Sequence, residues 1–527
     1  MGELLERNER YYPGVDAYVV GDQRRSWGQA VSRMRQLASG LEKLGLRRQD
    51  RVGMLSLNSL PFAELYGACE WAGFILAAYN FRLAAPEIAW LLEDTAPAVV
   101  LFESSYAGLI DGLRSRFPAI RHYVCIGDSA PSWAIPYEQV LSDGEESGPS
   151  FRSQPEDWVY LFYTSGTTGK PKGVPYRHDG ALFTSQFQGR QCGPDMRILQ
   201  GTPLFHVGGS GFLCATKWMA GTTVITAAFD PLKFLEIVQR EKITFTFMVG
   251  PMIQAVLDHP RFSEFDTSSL RSVMSASAPI AVPLLRRAIE KFGPVFFISY
   301  GSTETGPVCT LDCHELQPDG NEIQVGRLAS VGHFVPEVDA VILDGDDRPC
   351  LPGIVGEICI HPKIFKCYWN NDAATAEAMR SGRFHTGDLG YADEQGFVFL
   401  VDRKKDMIIS GGENVYSREV EEALHRHRAV AESAVVGIPD KKWGEAVHAV
   451  VVLRATQQAS DAELIAHCQT QIARYKCPKT IAIVDELPRV TSGKIDKVAL
   501  RKRYSGNEST SGNVRTKGSH EQFELDS

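Results

Sequence analysis

The sequence predicts an α/β protein. A large N-terminal domain of layered, mostly parallel sheets should carry a small β subdomain, with a smaller α+β domain following. Three observations lead there. Short apolar, β-branched runs alternate with helical patterns through residue 301, as strands joined by crossover helices do. From about residue 325, strand-like runs punctuated by Gly, Asp and Pro replace the helices. Past residue 405, a mixed pattern long enough for one compact unit begins. The expected organisation is 1–404, with the β subdomain over about 325–401, then 405–504, then a polar, disordered tail 505–527.

In chain order, strands are expected at 51–57, 97–102, 158–164, 222–228, 244–250, 272–277 and 295–301. Helices are expected at 231–241 and 282–292, and the apolar stretch Tyr66–Phe81 reads as a buried helix too short to span a bilayer. The subdomain strands are 338–344, 356–362 and 396–403. In the last domain, 417–427 reads as a helix and 430–438, 446–453 and 480–487 as strands; Ser460 and Glu463 form a capping box that opens another helix. Ligands on such parallel sheets bind beyond the carboxyl ends of strands, so a strand running into Gly, Ser and Thr marks the place to look.

Composition narrows the function classes. With 55 basic against 64 acidic residues the net charge is −9, which argues against a nucleic-acid binder and requires any anionic ligand to be met by local positive charge. The 11 cysteines are odd in number and contain no CxxC pair, so a disulfide framework or zinc site is not expected; the nearest approach is Cys309, Cys313 and His314. The N-terminus lacks the apolar core of a signal peptide, and a reducing cytoplasm is the expected place.

The segment Tyr163–Val174, YTSGTTGKPKGV, is the strongest chemical signal. A strand leads into it and a helix pattern follows. Glycines admit backbone N–H groups to an anion, hydroxyls donate, and Lys170 and Lys172 bring charge, so the composition is that of a phosphate cradle. It is not a Walker A loop, since Pro171 follows Gly169-Lys170.

This string resembles the phosphate-binding signature of the adenylate-forming superfamily, in its acyl-CoA synthetase branch of fatty- or aryl-acid CoA ligases. The resemblance continues in order through SASAPI (275–280), YGSTETG (300–306), HTGDLG (385–390), DRKKDMIISGGENVYSREVEE (402–422) and PRVTSGKIDK (488–497), covering roughly 15–503. It implies ATP, Mg²⁺ and coenzyme A as partners of a small-molecule carboxylic acid. Thr164, Ser165, Gly166, Thr167, Thr168, Gly169, Lys170 and Lys172 would grip the phosphates. Ser277, Ala278 and Pro279 would lie at the adenine, Tyr300 would stack on it beside Gly301, and Thr303 would bond the α-phosphate. Glu304, with Thr164 nearby, would hold the metal through hard oxygens. Asp388 would accept the ribose hydroxyls and Arg403 would contact ribose or phosphate. Lys494 would bridge carboxylate and α-phosphate, with Lys497 and Lys502 as non-critical controls.

For the thioester step the family rotates its mobile small domain about a hinge, here Lys405, bringing forward Ser410, Gly411, Gly412 and Glu413; Lys476 would contact a CoA phosphate. In the acid pocket, His206, Val207 and Gly208 would lie beside the acyl channel, with Phe247, Val249, Gly250, Gly301 and Ser302 on its walls. Gly208, Gly209 and Gly211 are expected to leave space for an elongated or ring-bearing acid. The chain departs from the family pattern at Ser277, Ala278, Ser302 and Asp402, none of which removes a catalytic group.

The expected activity is therefore formation of an acyl-adenylate and then an acyl-CoA, releasing pyrophosphate and AMP. With no carrier module after residue 505, a standalone CoA ligase is favoured. A carrier-loading enzyme, a luciferase-like oxidase and a non-catalytic nucleotide-binding protein are the alternatives; the oligomeric state, monomer or homodimer, stays open.

Overall fold

Short runs rich in apolar and β-branched residues become interior strands. Ile75–Ala78, Thr222–Ile225 and Ser272–Ser275 are buried along their whole length, as parallel strands covered on both faces must be. The computed structural model describes residues 1–164, 171–190, 195–276, 280, 282–410, 413–490 and 493–505. Among the described residues the strands form four sheets, and the chain divides into two units after Val401.

The first unit holds two large sheets. One has seven strands in the order Ile135–Pro136, His122–Ile126, Val99–Glu103, Arg51–Leu55, Ile75–Ala78, Trp158–Thr164, Lys172–Arg177. Its last pair is antiparallel and the others are parallel. The other has nine strands, with Phe296–Ser302, Ser272–Ser275, Phe245–Phe247, Arg197–Gln200, Thr222–Ile225 and Asp16–Val20 running parallel in its centre. The segments that leave Gln200, Phe247 and Ser302 therefore gather along one sheet edge, where ligands bind in such folds. The helices Pro231–Glu241 and Val282–Phe292 form as the sequence predicts; the Asp230 side chain accepts from Lys233 N at 2.8 Å and caps the first.

Two expectations are corrected. Tyr66–Phe81 is not one helix: the helix Leu60–Ala72 stops at Gly73, which has φ 77°, and Ile75–Ala78 is a central strand. Glycine alone takes that left-handed turn cheaply. The helix is nonetheless buried nearly all round, and its Glu70 pairs with Lys217 at 2.6 Å, both fully buried. The second correction concerns the segment after the phosphate ribbon, where the sequence predicts a helix directly. The strand Lys172–Arg177 comes first, folding back on Trp158–Thr164, and the helix His178–Arg190 follows.

The β subdomain is an antiparallel sheet of Ala340–Leu343, Gly356–Ile360, Met379–Arg380, Arg383–Ala392 and Val398–Arg403. His333–Phe334, inside the expected span, instead pairs with the nine-stranded sheet. In the second unit, Glu413–Val415, Ile408–Ser410, Gly444–Leu453 and Val430–Asp440 form an antiparallel sheet, with Thr480–Val484 parallel to Gly444–Leu453. The Ser460 capping box forms, with Ser460 N donating to Glu463 Oε2 at 2.8 Å. Among the described residues no helix is long and apolar enough to cross a membrane.

Candidate active site

The strand pairing that follows the ribbon sets Thr164 directly opposite Lys172. The foot of this hairpin is fastened to the body. Tyr163 Oη donates to Asp94 at 2.5 Å, and burial together with that carboxylate pushes the phenol well above its ordinary pKa. Trp369 N donates to the Gly173 carbonyl at 2.8 Å, while Trp369 Nε1 and Asn370 Nδ2 both donate to the Asp94 carbonyl. Ser165, Gly166, Thr167, Thr168, Gly169 and Lys170 lie outside the described residues, as do Ser277, Ala278, Pro279, Gly411 and Gly412.

Tyr176 Oη, on the same hairpin, donates to the Thr303 carbonyl at 2.6 Å and ties the second motif to the first. That motif ends the strand Phe296–Ser302, whose register shifts between Tyr300 and Gly301. A Cβ at Gly301 would collide with the Gly306 carbonyl, so the site needs glycine there. Glu304 accepts at Oε1 from Tyr368 Oη at 2.9 Å, and Lys172 Nζ lies 4.8 Å from the centre of the Tyr368 ring. Thr164, Lys172, Thr303 and Glu304 are thus linked through Tyr176 and Tyr368.

Tyr300 Oη donates to Asp388 Oδ2 at 2.7 Å. Burial, with the Asp388 charge beside it, keeps the phenol protonated far above its usual range. Asp388 is itself buried and follows Gly387, whose φ of 72° aims the turn. The turn is braced from behind: Thr386 Oγ1 donates to the Ile358 carbonyl at 2.7 Å, and Gly387 N donates to Glu357 Oε1 at 3.1 Å. Glu357, Cys359 and His385 cluster there with metal-ligand spacing. Arg380 Nη2 lies 2.7 Å from His385 Nδ1 and 3.2 Å from Glu357, so a guanidinium already supplies the positive charge.

On the acid side, His206 caps the helix Val207–Met219, its Nδ1 accepting from Gly208 N at 3.0 Å. The neutral ring therefore carries its proton on Nε2. The Phe247 ring lies 5.9 Å from Phe212, while Val249 and Gly250 open the helix Gly250–Leu257, where a Cβ on Gly250 would meet Leu284 at 3.9 Å in ordinary contact. The glycines do not leave the expected room. A Cβ at Gly209 would strike the Pro203 carbonyl, and one at Gly211 would lie 2.6 Å from Gln188 Oε1. Gly211 lets the helices Val207–Met219 and His178–Arg190 pack closely, while Gly209 lets the first turn of Val207–Met219 sit against the Pro203 carbonyl.

The second unit carries Arg403, Lys405, Ser410, Glu413, Lys476 and Lys494. Ser410 pairs with Glu413 in the antiparallel strands Ile408–Ser410 and Glu413–Val415. Lys476 makes two bonds to Glu419 at 2.7 and 2.8 Å; burial works against its charge, but the Glu419 carboxylate outweighs it and raises the pKa. Lys494 is exposed beside a turn in which Arg489 Nη1 donates to the Gly493 carbonyl at 2.9 Å. Lys497 does not suit the role of neutral control: it pairs with Glu421 at 2.7 Å and donates to Ser417 Oγ at 2.7 Å. Asp402, the departure before Arg403, accepts from Ser417 N at the start of the helix Ser417–His425.

Family comparison bears on the whole chain. The model of the AMP-binding enzyme family matches residues 5–369, and that of the AMP-binding enzyme C-terminal domain matches 419–494. The chain belongs to this family. It is 35% identical over 514 residues to a feruloyl-CoA synthase of an Amycolatopsis species, covering 96% of this chain and 99% of that one. It is 33% identical to an indoleacetate–CoA ligase of Aromatoleum aromaticum, covering 95% and 97%. Its fold matches the o-succinylbenzoate CoA synthetase of Bacillus subtilis in complex with its acyl-adenylate, with TM-score 0.83 and 29% identity over 97% of this chain and 99% of that one.

The AMP-binding enzyme described here is a carboxylic acid–CoA ligase of the AMP-forming type, passing through an acyl-adenylate; the alternative readings are not favoured. Two residues in this family frame carry no motif signal. Tyr368 is one. The other is Trp443, an exposed ring on the turn before Gly444–Leu453, with Lys442 Nζ and Lys479 Nζ at 4.7 and 5.3 Å from its centre.

Proposed function

We propose that this ligase joins an aryl-bearing carboxylic acid to coenzyme A with MgATP, in the cytoplasm. The observation that carries the reading is the junction of Lys172, Tyr368 and Glu304, which gathers a cation for phosphate and a carboxylate for metal at the end of one hairpin. The aryl preference is supported by the Phe212 and Phe247 rings and by the acids named for the two relatives.

In the first half-reaction a carboxylate oxygen attacks the α-phosphorus. The bond from that phosphorus to the β-bridging oxygen breaks, and pyrophosphate leaves with the electron pair. The work is positioning and charge balance. Lys172 meets phosphate charge, Thr303 donates to the α-phosphate, and Asp388, held by Tyr300, accepts from the ribose hydroxyls. His206 Nε2–H donates toward the acid. Lys494 meets the charge on the reacting oxygens, and losing such a donor typically costs about 2.7–4 kcal/mol of barrier. Glu304 fits Mg²⁺: Tyr368 occupies one oxygen and leaves the other, and a single carboxylate suits an ion that keeps waters and takes substrate phosphate oxygens. Glu304 would hold that ion, which would supply positive charge against the phosphates.

In the second half-reaction the CoA sulfur attacks the acyl carbon, the thiol proton goes to solvent, and the acyl carbon–oxygen bond breaks to release AMP. Ser410 and Glu413 would border the pantetheine arm, Lys476 and Trp443 the nucleotide end, and Lys405 would be the pivot between the two half-reactions. The test is a pyrophosphate-release screen across aliphatic and aryl acids, with and without CoA. Aryl acids should give the highest kcat/KM, and Lys494→Ala should suppress adenylation while sparing thioester formation from supplied acyl-AMP. Equal loss of both half-reactions, or a preference for unbranched aliphatic acids, would refute this reading.

A further inference from the structure

We propose that Tyr368 is a positioning residue that couples the two charges of the adenylation site, orienting Glu304 through its hydroxyl and Lys172 through its ring. The inference rests on the reading above, in which Glu304 receives the metal and Lys172 the phosphates.

The phenol is held so that it cannot swing away. It is 6% exposed, its backbone N donates to Thr375 Oγ1 at 2.9 Å, and its ring meets Phe365 edge-on at 4.8 Å between centres. The next residue, Trp369, is bonded to Gly173, one position beyond Lys172. The side chain thus spans from the hairpin to a carboxylate 64 residues distant in sequence. Its two contacts act differently. The hydroxyl donates to Glu304 Oε1, which fixes the plane of the carboxylate and leaves Oε2 to face a cation. The ring presents its negative face to the Lys172 ammonium, which holds that flexible side chain near the end of the hairpin before a phosphate arrives. The two functions are separable by substitution: phenylalanine removes the first and keeps the second, and leucine removes both.

The experiment uses the full-length chain, Mn²⁺ as a paramagnetic stand-in for Mg²⁺, and α,β-methylene-ATP, which cannot transfer its adenylyl group. Electron paramagnetic resonance reads metal retention in the ternary complex, and calorimetry reads nucleotide affinity without metal. Tyr368→Phe should weaken Mn²⁺ retention about tenfold, the scale of one hydrogen bond to a charged group. It should leave metal-free nucleotide affinity at the parent's level. Tyr368→Leu should lose nucleotide affinity as well. In a Glu304→Gln background, Tyr368→Phe should cause no further loss of Mn²⁺, because the coupling partner is gone. Unchanged Mn²⁺ retention in Tyr368→Phe, equal losses with and without metal, or full additivity with Glu304→Gln would each overturn the proposal. Failure of the unaltered chain to retain Mn²⁺ with the analogue would overturn the adenylation reading itself, and the coupling with it, a pattern distinct from loss confined to the variants.

Discussion

The bond from Tyr300 Oη to Asp388 is the point where the nucleotide site can be tested most cleanly, because Tyr300→Phe deletes one oxygen and keeps the ring. The bond is 2.7 Å long and joins the half-buried Tyr300 to the buried Asp388. A hydrogen bond to a charged group contributes about 1.5–3 kcal/mol. If Asp388 needs that bond to face the ribose, ATP should bind about 10–150-fold more weakly, with the adenine stack intact. The assay is acid-dependent ATP–pyrophosphate exchange, run with ATP and with 2′-deoxy-ATP. The parent should lose affinity when the hydroxyl is removed; Tyr300→Phe should lose little more, since its carboxylate is already misdirected. A KM for ATP within twofold of the parent's, or losses that add fully between protein and nucleotide changes, would refute the reasoning.

Three further outcomes concern the scaffold. Lys217→Met strands Glu70 in a site where both partners are fully buried, and chemical denaturation should show a loss of about 3–5 kcal/mol. Most of it should return in Glu70→Gln/Lys217→Met. Lys497→Ala should lower stability by about 1 kcal/mol by taking the ammonium from half-buried Glu421, which keeps the Val435 N–H, whereas Lys502→Ala, at an exposed position, should match the parent in both melting temperature and turnover. Burial depresses His448 to a pKa of about 4, so the fold favours its neutral ring. Its contribution is complete above the unfolded pKa near 6.5 and declines as pH falls toward 4, by about 1.4 kcal/mol per pH unit. Urea midpoints measured across this range should fall on acidification, and His448→Gln should flatten the slope.

What the sequence made legible was local. Trp158–Thr164, Pro231–Glu241 and Val282–Phe292 match their expected spans because period, caps and breakers lie within each segment. The strand Lys172–Arg177 was not legible, since it is short and contains Pro175. It is tolerated because it lies at a sheet edge, where a missing N–H costs no ladder bond. In Tyr66–Phe81 the apolar signal continues across a change of element, and only the backbone of Gly73 marks it. The glycines 209 and 211 look like empty space in one dimension and prove to be contact points, Gly209 against the Pro203 carbonyl and Gly211 against Gln188 on the neighbouring helix. At the site, the motifs supplied the groups that would touch nucleotide. Tyr368, lying outside every motif, draws its part from a partner far away in the chain. Lys497 looked like a spare lysine because its partner Glu421 lies on another helix.

The central claim is that an acid oxygen becomes bonded to the α-phosphorus of ATP. A carboxylic acid labelled with ¹⁸O in both oxygens, incubated with ATP, CoA and Mg²⁺, tests it by mass spectrometry of the products. One ¹⁸O should appear in each AMP released, with none in pyrophosphate and one retained in the acyl-CoA. Label in inorganic phosphate together with ADP, or AMP free of label, would contradict the account.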